Sequence, residues 1–167
     1  MGAARHRTKT VGRAHPTRQT LMTAALRLPS LFSDHMVLQR DLPLPVWGWA
    51  APATKVTASI AGQSASAVAD SAGRWTLTLK PLPPGGPHEL VVVAGSETLR
   101  RADVLIGDVW LCSGQSNMEF PLESCLDGKQ AVAEANHPQI RLFQLPKVAA
   151  AAPAGDVDAV WKACTPA

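Results

Sequence analysis

The chain has 167 residues, 46% of them hydrophobic and 17% charged, with five Trp and no Tyr, a composition typical of a folded chain. Six of its sixteen basic residues precede the first acid, Asp34, so from Leu28 onward ten basic residues face thirteen acids and the net charge is about −3. This excludes the basic face that nucleic-acid binding needs. The length allows one domain plus part of another.

Residues 1–27 are predicted to form a leader, with a basic start and a short apolar patch over residues 21–26. The leader is read either as a degenerate export signal or as a disordered segment. Cellular location stays open with it, and a chain whose leader is not a signal is expected to be cytoplasmic. No other run approaches the ~20 apolar residues of a membrane span.

Residues 28–102 are predicted to form a β-sandwich-like domain, because short β-prone runs alternate there with turns rich in Gly and Pro. Within "RWTLTL", Trp75, Leu77 and Leu79 share one face of a half-buried strand. Trp47 and Trp49 also share a face, for which core packing and stacking on a sugar ring are the two interpretations. The seven predicted strands are "MVLQ", "PVWGWA", "KVTASI", "SASAVA", "RWTLTL", "HELVVVA" and "SETLRR".

Residues 103–167 are predicted to open an α/β domain. The run "VLIGDVWLC" is typical of a strand buried on both faces, which makes Cys112 a core residue. "LDGKQAVAEAN" predicts a short helix capped by Asp127 with Gln130 three residues later, and "QIRLFQL" predicts the next strand. This is the order of a βαβ unit, but one helix and two strands leave a parallel sheet incomplete, so either the chain is a fragment or a partner chain completes the sheet.

The three cysteines, Cys112, Cys125 and Cys164, show no C-x-x-C spacing. They therefore indicate neither a zinc site nor a disulfide framework.

"WLCSGQSNMEF" carries the candidate chemistry, because the predicted strand ends in a turn that holds Ser116. Functional groups of doubly wound sheets gather at such strand ends, and a serine in a sharp turn at Gly114 is exposed beside free backbone N–H groups. The four letters alone are weak evidence, since a serine that caps a turn fits them as well, and the G-x-S-x-G elbow of other hydrolases is absent.

Four segments together resemble the N-terminal portion of the sialate O-acetylesterase family, in the SGNH (GDSL-like) hydrolase superfamily: "LPSLFSDHMVLQRDLPLPVWGWAAP", "DSAGRWTLTL", "GDVWLCSGQSNMEFPL" and "HPQIRLFQLP". The resemblance covers residues 28–165 and implies a serine esterase that hydrolyses acetyl esters on sugars, with no metal or organic cofactor. It also implies a periplasmic or secreted location.

By this resemblance Ser116 is the catalytic nucleophile, and its backbone N–H is one oxyanion donor. Gly114, Gln115, Asn117 and Met118 take supporting roles: Asn117 forms hydrogen bonds, Met118 packs, and Gln115 is not an acid or base.

The resemblance also implies that the remaining oxyanion donors and the Asp/His pair lie downstream and are absent here, so the chain alone is expected to be inactive. His137 is expected at the wrong end of its strand to act as base. His35 and His88 are predicted to be surface or turn residues of the β domain.

Asp108 and Glu119 flank the motif and are read as solvated or capping residues rather than a pair of glycosidase carboxylates. Gln144 either lines the site or ends a strand. The alternative to an esterase is a non-catalytic glycan-binding or structural β module that uses the Trp47/Trp49 face.

Overall fold

The computed structural model describes residues 25–166, so nearly all of the predicted leader lies outside the described residues. Within them nine strands, one α-helix and two 3₁₀ turns follow one another. The elements are β1 (Val37–Gln39), β2 (Leu44–Trp49), β3 (Lys55–Ile60), β4 (Gln63–Val68), β5 (Arg74–Leu79), β6 (Gly85–Ala94), β7 (Glu97–Gly107), the 3₁₀ turns Ser116–Glu119 and Leu122–Ser124, α1 (Gly128–Glu134), β8 (His137–Phe143) and β9 (Trp161–Cys164).

All seven strands predicted before residue 103 are present as β1 to β7. The turn chemistry that separates them is visible at Gly73, between β4 and β5. Its φ is +77°, and a Cβ there would lie 2.6 Å from the carbonyl oxygen of Ala50. Only glycine fits this turn, because it alone combines left-handed backbone with so close an approach.

The strands form a five-stranded mixed sheet, in the order β1-β7-β6-β3-β4, and a separate β2-β5 pair. β1 runs parallel to β7, and the other pairs are antiparallel. Buried side chains from both sheets contribute to one hydrophobic core. Trp75, Leu77 and Leu79 of β5 are buried as predicted, and each such side chain contributes about 1.5–3 kcal/mol through its burial.

The prediction of one buried strand over "VLIGDVWLC" is wrong for its second half. Val104 and Ile106 are buried in β7, as part of the five-stranded sheet. The strand ends at Gly107, and Trp110 and Leu111 are 82% and 90% exposed. Among the described residues no strand lies beside residues 108–112, so their backbone has no ladder to join.

The predicted βαβ unit is therefore not formed within residues 25–166. The helix is present as α1, but β8 pairs with β9, antiparallel, and with no strand that precedes the helix. Cys112, predicted to be a core residue, is exposed. From residue 108 onward only Gly128 is buried among the described residues, so this region has no core of its own.

Across the described residues, the one α-helix is seven residues long, and no helix there is long and apolar enough to cross a membrane.

Candidate active site

Ser116 begins a short 3₁₀ turn, Ser116–Glu119, that follows the irregular segment after β7. Gln115 precedes the turn with extended backbone, φ −105° and ψ −160°, and its carbonyl accepts a hydrogen bond of 2.8 Å from the backbone N–H of Met118. The turn forms because this bond and one from Phe120 N–H to the Asn117 carbonyl satisfy its backbone locally.

The reactive groups of Ser116 are unoccupied within the described part of the chain. Its side chain is exposed, and neither its hydroxyl nor its backbone N–H takes part in a hydrogen bond with a described residue. The first N–H groups of a helical turn have no intrahelical acceptor. Both the hydroxyl and the N–H are therefore available to a reacting carbonyl.

Gly114 does not have the left-handed backbone that would demand glycine. A Cβ at this position would meet Met118 Cβ at 3.6 Å and Met118 Cε at 3.8 Å, which is ordinary van der Waals contact. The expectation that Gly114 is needed for a sharp turn has no support in the local geometry. Met118 does pack beside it, although Met118 is 54% exposed.

No described histidine forms a hydrogen bond with Ser116. His35 Nδ1 lies 2.6 Å from Asp103 Oδ2, and His137 is the exposed first residue of β8. His88 is half-buried in β6, on the sheet of the β domain. Residues 25–166 therefore offer, at Ser116, an exposed hydroxyl and one free backbone N–H, with no histidine hydrogen-bonded to either.

The flanking carboxylates have partners other than Ser116. Asp108 accepts a hydrogen bond of 2.9 Å from Arg40 Nε, which lowers the pKa of Asp108. Glu119 forms an ion pair with Lys147. Gln144 follows the end of β8 and is exposed. Neither carboxylate belongs to a glycosidase-like pair.

The helix that follows the site starts differently from the prediction. Asp127 precedes α1 with left-handed backbone, φ +57°, and its side chain makes no capping bond. Gln130 does not cap either: its amide donates to Glu134 Oε1, 2.9 Å away. Because a Cβ on Gly128 would lie 1.9 Å from the carbonyl oxygen of Leu122, glycine alone allows α1 to pack on the second turn.

An ion pair that the sequence did not reveal connects the region after Ser116 to the β domain. Arg141 of β8 donates to both carboxylate oxygens of Asp103 in β7, at 2.7 and 3.1 Å. The hydrogen bond from Arg141, followed by the contact with His35, lowers the pKa of Asp103 to about 2. The one available signal was an arginine inside the apolar run "QIRLFQL".

A second connection joins residues 156–161 to the loop before β1. Asp156 accepts hydrogen bonds of 2.8 Å from both the backbone N–H and the hydroxyl of Ser30. Trp161 Nε1 donates to the Leu31 carbonyl over 2.9 Å. Strand β9 is thereby held against the β domain at a point separate from the Arg141 contact.

The Trp47/Trp49 face is partly covered by other side chains. The guanidinium of Arg27 lies 3.6 Å from the centre of the Trp49 ring, as in a cation–π contact. Trp47 meets Phe32 edge to face, with ring centres 4.6 Å apart. Trp47 also lines an apolar cleft of about 680 Å³ whose other wall is formed by residues 143–158.

Within residues 25–166, no three His, Cys, Asp or Glu side chains are grouped closely enough to hold a metal ion.

Comparison with known proteins relates the chain to carbohydrate esterases. Its structure matches the crystal structure of a carbohydrate acetylesterase from Xanthomonas citri, with a TM-score of 0.82 and 45% sequence identity over 85% of this chain and 33% of that one. No protein-family model matches the chain.

Sialate O-acetylesterases of mammals are also similar to the chain. The mouse protein is 34% identical over an alignment of 131 residues that covers 71% of this chain and 24% of that protein. The human protein is 32% identical over an alignment of 146 residues that covers 80% of this chain and 28% of that protein. The chain therefore belongs to the sialate O-acetylesterase family, and it spans about a quarter of the length of these curated relatives.

Proposed function

We propose that the chain is the part of a carbohydrate O-acetylesterase that carries the catalytic nucleophile, Ser116. The observation that carries the proposal is an exposed serine whose hydroxyl and N–H have no described partner, in a chain 45% identical to a carbohydrate acetylesterase. The substrate class is an acetyl ester of a sugar.

The reaction is acyl transfer. The Ser116 Oγ attacks the acetyl carbonyl while a base takes its proton, and the Ser116 backbone N–H stabilises the oxyanion. The sugar hydroxyl then leaves with a proton, and water hydrolyses the acetyl-enzyme to acetate. Around the nucleophile, the carbonyls of Gln115 and Asn117 accept the backbone hydrogen bonds of the turn, and Met118 packs beside Gly114.

The base is the part of this mechanism that residues 25–166 do not supply. His35 is engaged by Asp103, and neither His88 nor His137 forms a hydrogen bond with Ser116. A serine hydroxyl without a base stays protonated at neutral pH and is a poor nucleophile. By itself, the chain is expected to be inactive.

The finer architecture is also a proposal: a β-sandwich-like domain followed by the opening of an SGNH hydrolase domain. Because β7 belongs to the first sheet, the second domain begins near residue 108, five residues later than the sequence suggested. Trp110 and Leu111, adjacent in the chain, are 82% and 90% exposed, and large apolar side chains exposed side by side mark a packing interface. The remainder of the catalytic domain, or a partner chain that completes the sheet, would cover it.

A chimera tests the proposal. Residues 28–165 replace the matching part of the Xanthomonas citri acetylesterase, and hydrolysis of an aryl acetate and of acetylated sugars is measured. We expect activity that Ser116→Ala abolishes and that Ser124→Ala, a matched change in the next turn, leaves intact. Activity that survives Ser116→Ala would exclude the assigned nucleophile.

A further inference from the structure

Arg141 is the charged side chain through which the region after Ser116 contacts the β domain most closely. It is 6% exposed. Besides its two bonds to Asp103, its Nε donates to the Pro138 carbonyl over 2.7 Å and its Nη1 to the His35 carbonyl over 3.3 Å. A guanidinium held by four acceptors in a planar fork has one orientation, which a lysine cannot reproduce.

Two of the residues that accept hydrogen bonds from Arg141 have strained backbone conformations. Asp103 and His35 have φ values of +53° and +67°, in the left-handed region where side chains other than glycine cost about 1 kcal/mol or more. The two residues contact each other through the 2.6 Å bond between Nδ1 and Oδ2. Such strain persists only where the surrounding structure enforces it.

The surrounding structure does enforce it, because the loop before β1 is joined to β7 by several hydrogen bonds. The Asp34 carboxylate accepts a hydrogen bond of 2.8 Å from the Ala102 N–H. The Ala102 carbonyl accepts one of 3.1 Å from the His35 N–H. Arg101 Nε donates to the Phe32 carbonyl over 2.8 Å. Asp103 and His35, which accept hydrogen bonds from Arg141, are therefore held in place by the rest of the β domain.

Two contacts, together with the chain that joins them to β8, connect Arg141 to the turn that holds Ser116. Arg141 lies on β8, and Lys147, four residues beyond the end of that strand, pairs with Glu119, the last residue of the Ser116 turn. On the other side, α1 precedes β8 and packs through Gly128 on the turn at Leu122–Ser124.

We propose that Asp103 and Arg141 are positioning residues of the esterase: their ion pair fixes the Ser116 turn, with α1 and β8, on the β domain. The inference rests on the proposed nucleophilic role of Ser116. It makes the β domain part of the catalytic apparatus rather than a separate sugar-binding module. His35 supports the pair by orienting the Asp103 carboxylate.

Hydrogen exchange of the 167-residue chain tests the structural half of the proposal without reference to activity. Arg141→Met should raise exchange in the Ser116 turn, α1 and β8 by tenfold or more and leave β3 and β5 unchanged. Arg100→Met, which breaks the exposed pair with Glu89, is the matched control and should change none of these elements. Unchanged exchange in β8 and α1 would overturn the proposal.

Kinetics of the active chimera test the catalytic half. Because a misplacement of about 1 Å can cost about 10²-fold in rate, Arg141→Met should lower kcat about 10- to 100-fold with KM little changed, and Arg141→Lys should lie between. Val92→Ala, a core change, controls for lost stability and should keep its kcat per folded molecule. A full kcat in Arg141→Met, or an equal loss in Val92→Ala, would overturn the proposal.

The two proposals fail in different ways. If the unmodified chimera hydrolyses no ester, or Ser116→Ala stays active, the proposed function is wrong. In that case the hydrogen-exchange measurement still tests whether Arg141 holds β8 and α1 on the β domain, independently of any catalytic role.

Discussion

Val92 and Val93 are adjacent residues of β6 that point to opposite faces of the five-stranded sheet. Val92 is fully buried in the core, whereas Val93 is 37% exposed. Valine-to-alanine substitutions at the two positions lose the same β-propensity. The difference between their effects on stability therefore reports the contribution of burial.

The expected cost of Val92→Ala follows from the carbon atoms removed. Each buried carbon contributes about 0.8 kcal/mol, so two methyl groups account for roughly 1.6 kcal/mol. The cavity left in a packed core adds to this, and we expect a total of about 2–3 kcal/mol. Val93→Ala removes groups that already meet water, for an expected cost of about 0.5–1 kcal/mol.

Urea unfolding of both variants, followed by far-UV circular dichroism, measures the difference. With an m-value of about 1–3 kcal/mol/M, the midpoint of Val92→Ala should lie below that of Val93→Ala by roughly 1 M. Equal midpoints, or a larger loss in Val93→Ala, would refute the register of β6 and the shared core of the two sheets.

Three further results are expected. The hydrogen bond from Arg141 is the main cause that lowers the pKa of Asp103 from 3.8 to about 2. The ionised Asp103 carboxylate therefore stabilises the fold above pH 4, and this stabilisation is lost as pH falls toward 2. The difference in unfolding midpoint between the native chain and Asp103→Asn should become smaller over that pH range. Gly128→Ala should disrupt the packing of α1 and accelerate its hydrogen exchange, whereas Gly107→Ala, whose Cβ would meet its nearest neighbour at 3.5 Å, should be tolerated. The exposed thiol of Cys112 should react with a thiol reagent in the folded chain at nearly the rate of a free cysteine, and protection would contradict its placement.

The seven strands of the β domain were predictable because each is a local pattern. Alternation such as that of Trp75, Leu77 and Leu79 identifies a half-buried strand, and Gly or Pro marks where each strand ends. The apolar run at residues 108–112 misled for a physical reason: a strand exists only where another strand pairs with it, and none does within the described residues.

In the candidate site too, the local features were predictable from the sequence and the long-range contacts were not. The turn at Ser116 could be anticipated from a short motif and a family resemblance, and its geometry is local. The contact of Arg141 with Asp103 joins residues 38 positions apart and depends on left-handed backbone at Asp103 and His35. Asp and His adopt left-handed backbone more often than most residues other than glycine, but the sequence does not mark which of them do so.

The direct measurement of the Ser116 assignment is to trap the acetyl-enzyme. The active chimera is mixed with an aryl acetate, quenched in acid and digested with trypsin. Residues 102–129 form one peptide, which holds Ser113, Ser116 and Ser124, and fragmentation assigns the acetyl group among them. An acetyl group on Ser116, absent after Ser116→Ala, is the predicted result, and turnover with the acetyl group on another residue or on none would contradict it.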